Sequence, residues 1–304
     1  MSAYLGQIAG LATSVCWSFT SIFFTLSGRI VGSPVVNRTR LVFALLMVGA
    51  LHWVMEGQPL PFDAAPERWG WLALSGFIGF VFGDACLFQA FVMIGPRLSM
   101  LLMALNPVIG AFLAWVLLGE TLKSVELVGI ALAISGVAWV VMDRKNGEEH
   151  RANGTLRSYI LGVVFGLGGA LGQAGGLVAS KQGLEGDFPA LSGNMIRLVA
   201  ATLMIWGFAV VQGHARPTVT ALREQPHAIR FILAGAVAGP FIGVTFSLIA
   251  VQNAPVGIAS TLMSLTPIIL LPLAYVFFKE PITRRAISGT LLAFAGITIL
   301  FLAP

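Results

Sequence analysis

Charge is the scarcest thing in this sequence. Of 304 residues only 10% are Asp, Glu, Lys or Arg, against 57% hydrophobic residues and a mean hydropathy of +0.89. A soluble chain of this length needs far more charge to cover its surface, so a soluble globular protein is excluded. Cysteine is nearly missing as well. Cys16 and Cys86 each lie inside an apolar stretch, which excludes a disulfide framework and a cysteine metal centre. His52, His150, His214 and His227 are scattered and give no metal spacing. The apolar stretches hold no Ser-His-Asp set and no paired carboxylates, so catalysis is not expected. The glycine-rich GLGGALGQAGG is followed by no Lys-Ser/Thr and is no phosphate loop; it suits close helix packing instead. No cofactor and no metal are expected. The start, MSAYLGQIAG, lacks a basic n-region, so the first apolar run reads as a retained helix.

The net charge of +5 and pI near 9.7 could point to nucleic acid. The basic residues, however, stand singly or in small clusters between hydrophobic runs, as in loops held at one membrane face. The expected partners are the lipid bilayer and a small molecule, with no nucleic acid and a monomer as the working unit.

What the sequence does have is long apolar runs. About 18 apolar residues suffice to cross the ~30 Å hydrocarbon layer as a helix. Continuous runs, rather than short alternating segments, mean a helix bundle and not a barrel. Ten spans are expected, near 4–27, 34–55, 69–93, 97–118, 124–142, 158–180, 189–211, 227–252, 256–278 and 284–302. The longest polar stretch, 143–157, divides the chain into units 1–142 and 158–304. Stretches 56–68 and 212–226 read as polar loops at corresponding places.

The two units repeat. At an offset of 160, Gly79, Gly83, Ala90, Pro107, Glu120, Gly129 and Gly136 meet Gly239, Gly243, Ala250, Pro267, Glu280, Gly289 and Gly296. At an offset of 157, Asn37, Arg40 and Met47 meet Asn194, Arg197 and Met204; at 156, Gly6, Gly10 and Leu11 meet Gly162, Gly166 and Leu167. Ordered Pro, Glu, Arg and Asn matches are hard to obtain by chance in so apolar a composition. Five spans per unit is an odd number, so the second unit enters the membrane from the opposite side. That makes an inverted repeat, the architecture of many alternating-access carriers with a site near the midplane. Arg29, Arg97, Arg144, Lys145, Arg151, Arg157, Arg216, Arg223, Arg230, Lys279, Arg284 and Arg285 fall on one side, against Arg68, Lys123 and Lys181 on the other. The bias puts the first group in the cytoplasm and both termini outside.

The stretches LNPVIGAFLAWVLLGE and LTPIILLPLAYVFFKE, each with a Pro in the fourth helix, a terminal Glu and a Gly-rich fifth helix behind it, resemble the drug/metabolite transporter superfamily, EamA type. The resemblance covers nearly the whole chain, and YddG-type amino-acid exporters are similar in length and helix count. Lys279 departs from the pattern where the first unit has Gly119. The resemblance implies a basket of ten helices around a central cavity, in a bacterial inner membrane, exporting amino acids or other metabolites.

Charges inside a membrane are functional candidates by default. Asp84 is mid-span and its repeat partner is Val244. It can meet a substrate amine, bind a proton for coupled export, or pair with Arg40, which a depth estimate at 1.5 Å per residue puts within reach. Arg40 and Arg197, with Asn37 and Asn194 one turn earlier, read first as helix anchors and second as carboxylate binders. Pro107 and Pro267 read as mid-helix kinks, static or hinged. Trp17, Phe80, Phe88, Gln89, Met103, Gln173, Phe241, Thr245, Met263 and Ser264 lie in the spans that surround the cavity in the family resembled; for each, ordinary packing competes with substrate contact. Trp17 and the aromatic third span favour neutral or aromatic amino acids as cargo. A proton-coupled drug or quaternary-cation exporter working through Asp84 is the alternative, and an intramembrane enzyme or scaffold is a third.

Overall fold

The computed structural model describes residues 4–118, 124–142, 156–186, 188–253, 262–279 and 282–302, and every regular element among them is helical. The first unit comprises α1 (Leu5–Val31), α2 (Ser33–Glu56), α3 (Pro66–Gly76), a π-helical segment (Phe77–Gly83), α4 (Asp84–Met103), α5 (Asn106–Leu118) and α6 (Ser124–Val141). The second comprises α7 (Leu156–Gly183), α8 (Ala190–Val211), α9 (Ala215–Glu224), α10 (Pro226–Ala236), a second π-helical segment (Val237–Gly243), α11 (Val244–Asn253), α12 (Thr266–Phe278) and α13 (Arg284–Leu302). Most of the 143–157 joint, together with Glu120, Lys123 and Glu280, lies outside the described residues.

Among the described residues seven stretches are long and apolar enough to cross a membrane, and Thr266–Phe278 is a shorter apolar helix. The protein is a multi-pass helical membrane protein. Leu46, Phe82, Val164 and Leu203 stand on its outer surface, and such large apolar side chains suit lipid rather than water. Trp53, Trp71 and Trp139 are exposed too. The expected count of ten spans meets a physical obstacle in the fourth helix of each unit. At about 1.5 Å per residue, the 13 residues of α5 and of α12 reach only about 20 Å.

The shortness has a cause in the sequence. The helix expected over 97–118 breaks at Ala104 and Leu105, and Pro107 is the second residue of α5. Pro267 likewise sits in the first turn of α12, behind a turn at Ser264 and Leu265. The mid-helix kinks expected at Pro107 and Pro267 are therefore breaks between helices. Proline lacks the N–H that would continue the ladder, and its ring clashes with the carbonyl four residues back. In a first turn neither defect costs anything. The two breaks match: the Leu105 N–H donates to Leu102 O at 3.0 Å, and the Leu265 N–H to Leu262 O at 3.2 Å.

Three further expectations change. The spans expected to be separate at 69–93 and 97–118 run on through Gly95 (φ 77°) and Pro96, which turn the chain without an intervening loop. The stretch 212–226 is not a plain loop but contains α9, whose buried Thr218 accepts a hydrogen bond from Arg38 Nη1 at 2.9 Å. Arg97, counted among loop cations, is 5% exposed inside the bundle, because the Gly95–Pro96 turn carries the chain straight back into it.

Packing follows the repeat. The first helix of each unit lies along the third helix of the other. In α7, Gly183, Gly176, Gly172 and Gly169 face Leu72, Gly79, Gly83 and Leu87 in turn. In α1, Phe24, Thr20 and Trp17 face Gly235, Gly239 and Gly243. Both pairs run antiparallel. Equivalent helices also pair with each other. Along α2 and α8, His52 Nε2 lies 3.0 Å from Ser192 Oγ at one end, and Trp206 Nε1 donates to Arg38 O at 3.2 Å at the other. Along α6 and α13, a methyl group on Gly136 would lie 2.4 Å from Ala293 N, and one on Gly296 would lie 2.3 Å from Ala133 N. These two pairs are antiparallel as well.

Candidate functional site

The π-helical segments set up the centre of the bundle. Each is seven residues long, FIGFVFG and VAGPFIG, at an offset of 160. The ladder shifts to i−5 bonds: the Asp84 N–H donates to Gly79 O, and the Val244 N–H to Gly239 O. Such segments often occur at functional sites because they widen the turn and redirect side chains. Asp84 is the first residue after the first one, 5% exposed.

Asp84 is held from two sides. Its Oδ2 forms an ion pair with Arg40 Nη2 from α2. Its Oδ1 accepts a hydrogen bond from Gln173 Nε2 of α7 at 2.7 Å. Arg40 Nε donates to Asn37 Oδ1 at 3.0 Å, and Asn37 Nδ2 donates to Phe80 O at 3.2 Å. The Arg40 guanidinium lies 4.9 Å from the Phe88 ring centroid and 5.8 Å from that of Phe80. Arg197, from α8 of the other unit, approaches the same Phe80 ring at 4.5 Å. A methyl on Gly79 would lie 3.4 Å from Arg197 Nη2 and 4.0 Å from Gln173 Oε1. Both repeat-related arginines therefore converge on the first unit's π-helical segment, where a small residue leaves room for them. Cation–ring contacts of this kind gain strength away from water.

The structure thus brings together Asn37, Arg40, Phe80, Asp84, Phe88, Gln173 and Arg197. Asn194 lies one turn before Arg197 on α8 and is 6% exposed. The other candidates fall elsewhere. Gln89 accepts from Ser33 Oγ at 2.6 Å, at the start of α2. Trp17 lies against Gly243 of the second π-helical segment. Thr245 Oγ1 donates to Phe241 O at 2.6 Å, and Phe241 packs in an apolar cluster with Leu41 and Leu198. Met103 packs with Phe24, Phe88 and Phe91; Met263 packs with Ala9 and Ala250; Ser264 is in the turn before α12. Among the described residues no group of three or more His, Cys, Asp or Glu could hold a metal ion. Sequence reasoning missed the π-helical segments, although the paired Gly79/Gly83 and Gly239/Gly243 were visible. It also missed the Gly95–Pro96 turn, which the dipeptide itself signals.

A helical membrane bundle with a charged cluster at its centre and a duplicated unit is the build of a solute transporter. The model of the EamA-like transporter family matches residues 4–142 and again residues 160–302, and the chain belongs to that family. It is similar to the uncharacterized inner membrane transporter YhbE of Escherichia coli K12, 27% identical over 170 residues, 55% of this chain and 51% of the relative. The chain spans about half the length of that relative. A probable terminal-alkyne amino-acid exporter of Streptantibioticus cattleyicolor is 26% identical over 230 residues, 75% of this chain and 72% of the exporter. The uncharacterized transporter PA0485 of Pseudomonas aeruginosa is 26% identical over 299 residues, covering 96% and 90% of the two chains. A crystal structure of a protein only 15% identical covers 98% of this chain and 96% of its own with a TM-score of 0.59, a likeness of fold alone.

Proposed function

We propose that the chain exports small metabolites by alternating access, with neutral or aromatic amino acids as cargo. The observation that carries this reading is the antiparallel pairing of equivalent helices. Where α2 meets α8 and α6 meets α13 in opposite directions, the two units are inverted copies about an axis in the membrane plane. Two such copies can exchange conformations, closing one side of the membrane as the other opens. The matched breaks before Pro107 and Pro267 support it, because discontinuous helices mark substrate sites in such carriers. In this reading α4–α5 and its counterpart are taken as broken spans, giving ten crossings in two five-helix units joined by 143–157, and both termini are placed outside on the Lys/Arg bias.

Amino-acid cargo is supported by the exporter from Streptantibioticus cattleyicolor and by the aromatic surfaces of Trp17, Phe80, Phe88 and Phe241. Gln173, Met103, Thr245, Met263 and Ser264 complete the proposed lining. Counterflow in liposomes, with each of the twenty labelled amino acids, tests the reading. Accumulation of at least one apolar or aromatic amino acid is the expected result. If none of the twenty enters, the reading is wrong.

A further inference from the structure

Arg40 and Arg197 are equivalent in the repeat but not in their bonding. Arg40 pairs with Asp84 and donates to Asn37. Arg197 has no ion pair and no hydrogen bond from its guanidinium among the described residues, and its Nε is buried without a partner. The Phe80 ring is what it rests against. Asn194 repeats the difference. Asn37 uses both its amide oxygen and its amide nitrogen, whereas Asn194 Oδ1 is buried with no partner. The cause lies in the sequence: Val244 stands where the second unit would need an acid to match Asp84. The centre therefore holds two guanidiniums and one carboxylate, and the carboxylate is already engaged.

A buried, unpaired charge is costly unless something pairs with it. We infer that Arg197 receives the carboxylate of the cargo, and that Asn194 Oδ1 accepts a hydrogen bond from the ammonium or hydroxyl next to that carboxylate. A guanidinium presents parallel N–H donors that match the two oxygens of a carboxylate. Residues three apart on a helix are neighbours on its surface, their Cβ atoms about 5–6 Å apart, so one small molecule carrying a carboxylate and an adjacent hydrogen-bond donor can reach both Arg197 and Asn194. A purely cationic cargo meets an unpaired guanidinium there and is repelled. The inference rests on the transport reading and adds the chemical class of its substrate.

The amino-acid counterflow panel separates the two. If no amino acid enters, the transport reading falls and this inference falls with it. If one enters, it is compared with its amide, which lacks the carboxylate, and with its deaminated acid, which lacks the ammonium. Binding to the purified protein is expected to be at least tenfold weaker for the amide. Arg197→Gln should bring the free acid down to the level of the amide while leaving the amide unchanged. Arg197→Lys, which keeps a charge but not the fork, should fall between, and both variants are checked for a monodisperse, wild-type-sized peak. Asn194→Leu should weaken the amino acid but not its deaminated acid. Amide bound as tightly as acid by the wild type, or acid bound by Arg197→Gln as tightly as by the wild type, overturns the inference.

Discussion

Replacing Asp84 by Asn should destabilise the bundle far more than a single isosteric change normally does. Asp84 and Arg40 are 5% and 4% exposed, and each is the other's counter-ion. Asparagine keeps the shape and can still accept from Gln173, so the perturbation is almost purely the loss of one negative charge. It leaves Arg40 and Arg197, both against the Phe80 ring, with no carboxylate in the cluster. Removing one partner of a buried ion pair costs about 3–5 kcal/mol. Ordinary interhelical hydrogen bonds in membranes couple by only about 0.6 kcal/mol on average, so the orphaned charge dominates. At about 2–4 °C per kcal/mol for a chain of a few hundred residues, melting should fall by about 6–20 °C. The assay is thermal unfolding in detergent of the wild type, Asp84→Asn, Arg40→Gln and the double variant. The double variant removes both charges and should recover most of the loss, giving a coupling of several kcal/mol across the cycle. A single variant that melts within about 2 °C of the wild type, or a double variant no more stable than the worse single, refutes the reasoning.

Other tests probe packing, coupling and topology. Gly172→Val places a branched Cβ 2.4 Å from Gly83 Cα, against backbone that cannot give way, and should cost at least about 1–3 kcal/mol in thermal unfolding. Gly207→Ala, in α8 with open space around it, should instead stabilise by up to about 1 kcal/mol. Because Asp84 is already engaged by Arg40 and Gln173, Asp84→Asn should slow counterflow without changing the shape of its pH profile; a flattened profile would revive proton coupling through this residue. Arg68 Nη1, in the first turn of α3, donates to Glu185 O at 2.8 Å, which ties the start of α3 to the turn after α7 and puts both on one side of the membrane. With the orientation that the Lys/Arg bias favours, Ala65→Cys in a chain with Cys16 and Cys86 replaced by Ala should label with an impermeant thiol reagent in intact cells, and Gln212→Cys only after lysis. The reverse pattern would invert the orientation.

The class of fold was legible in the sequence because it follows from bulk properties: apolar runs and a repeat carried by Pro, Arg, Asn and Gly. Arg40 and Asp84 could be brought together by counting residues along two helices that share one end. What could not be read was local geometry. Pro107 looked like a kink in one helix, since sequence does not distinguish a bent ladder from one that stops and restarts. The π-helical segments leave no compositional trace beyond paired glycines. Arg97 looked like a loop cation because the Gly95–Pro96 turn, which buries it, takes only two residues. Arg40 and Arg197 looked alike, and only the packed side chains show that one is satisfied and the other is not.

The seam between α6 and α13 carries a consequence for how the molecule is made. The glycines at 136, 289 and 296 and the alanines at 133 and 293 let these helices touch backbone to backbone, yet α6 is inserted more than a hundred residues before its mate is synthesised. Through that interval its small-residue face is open to lipid or to the insertion machinery. A ribosome that stalls before Arg284–Leu302 leaves a chain with every central helix present and this seam unmade. Such a chain displays a small-residue stripe that the finished protein hides.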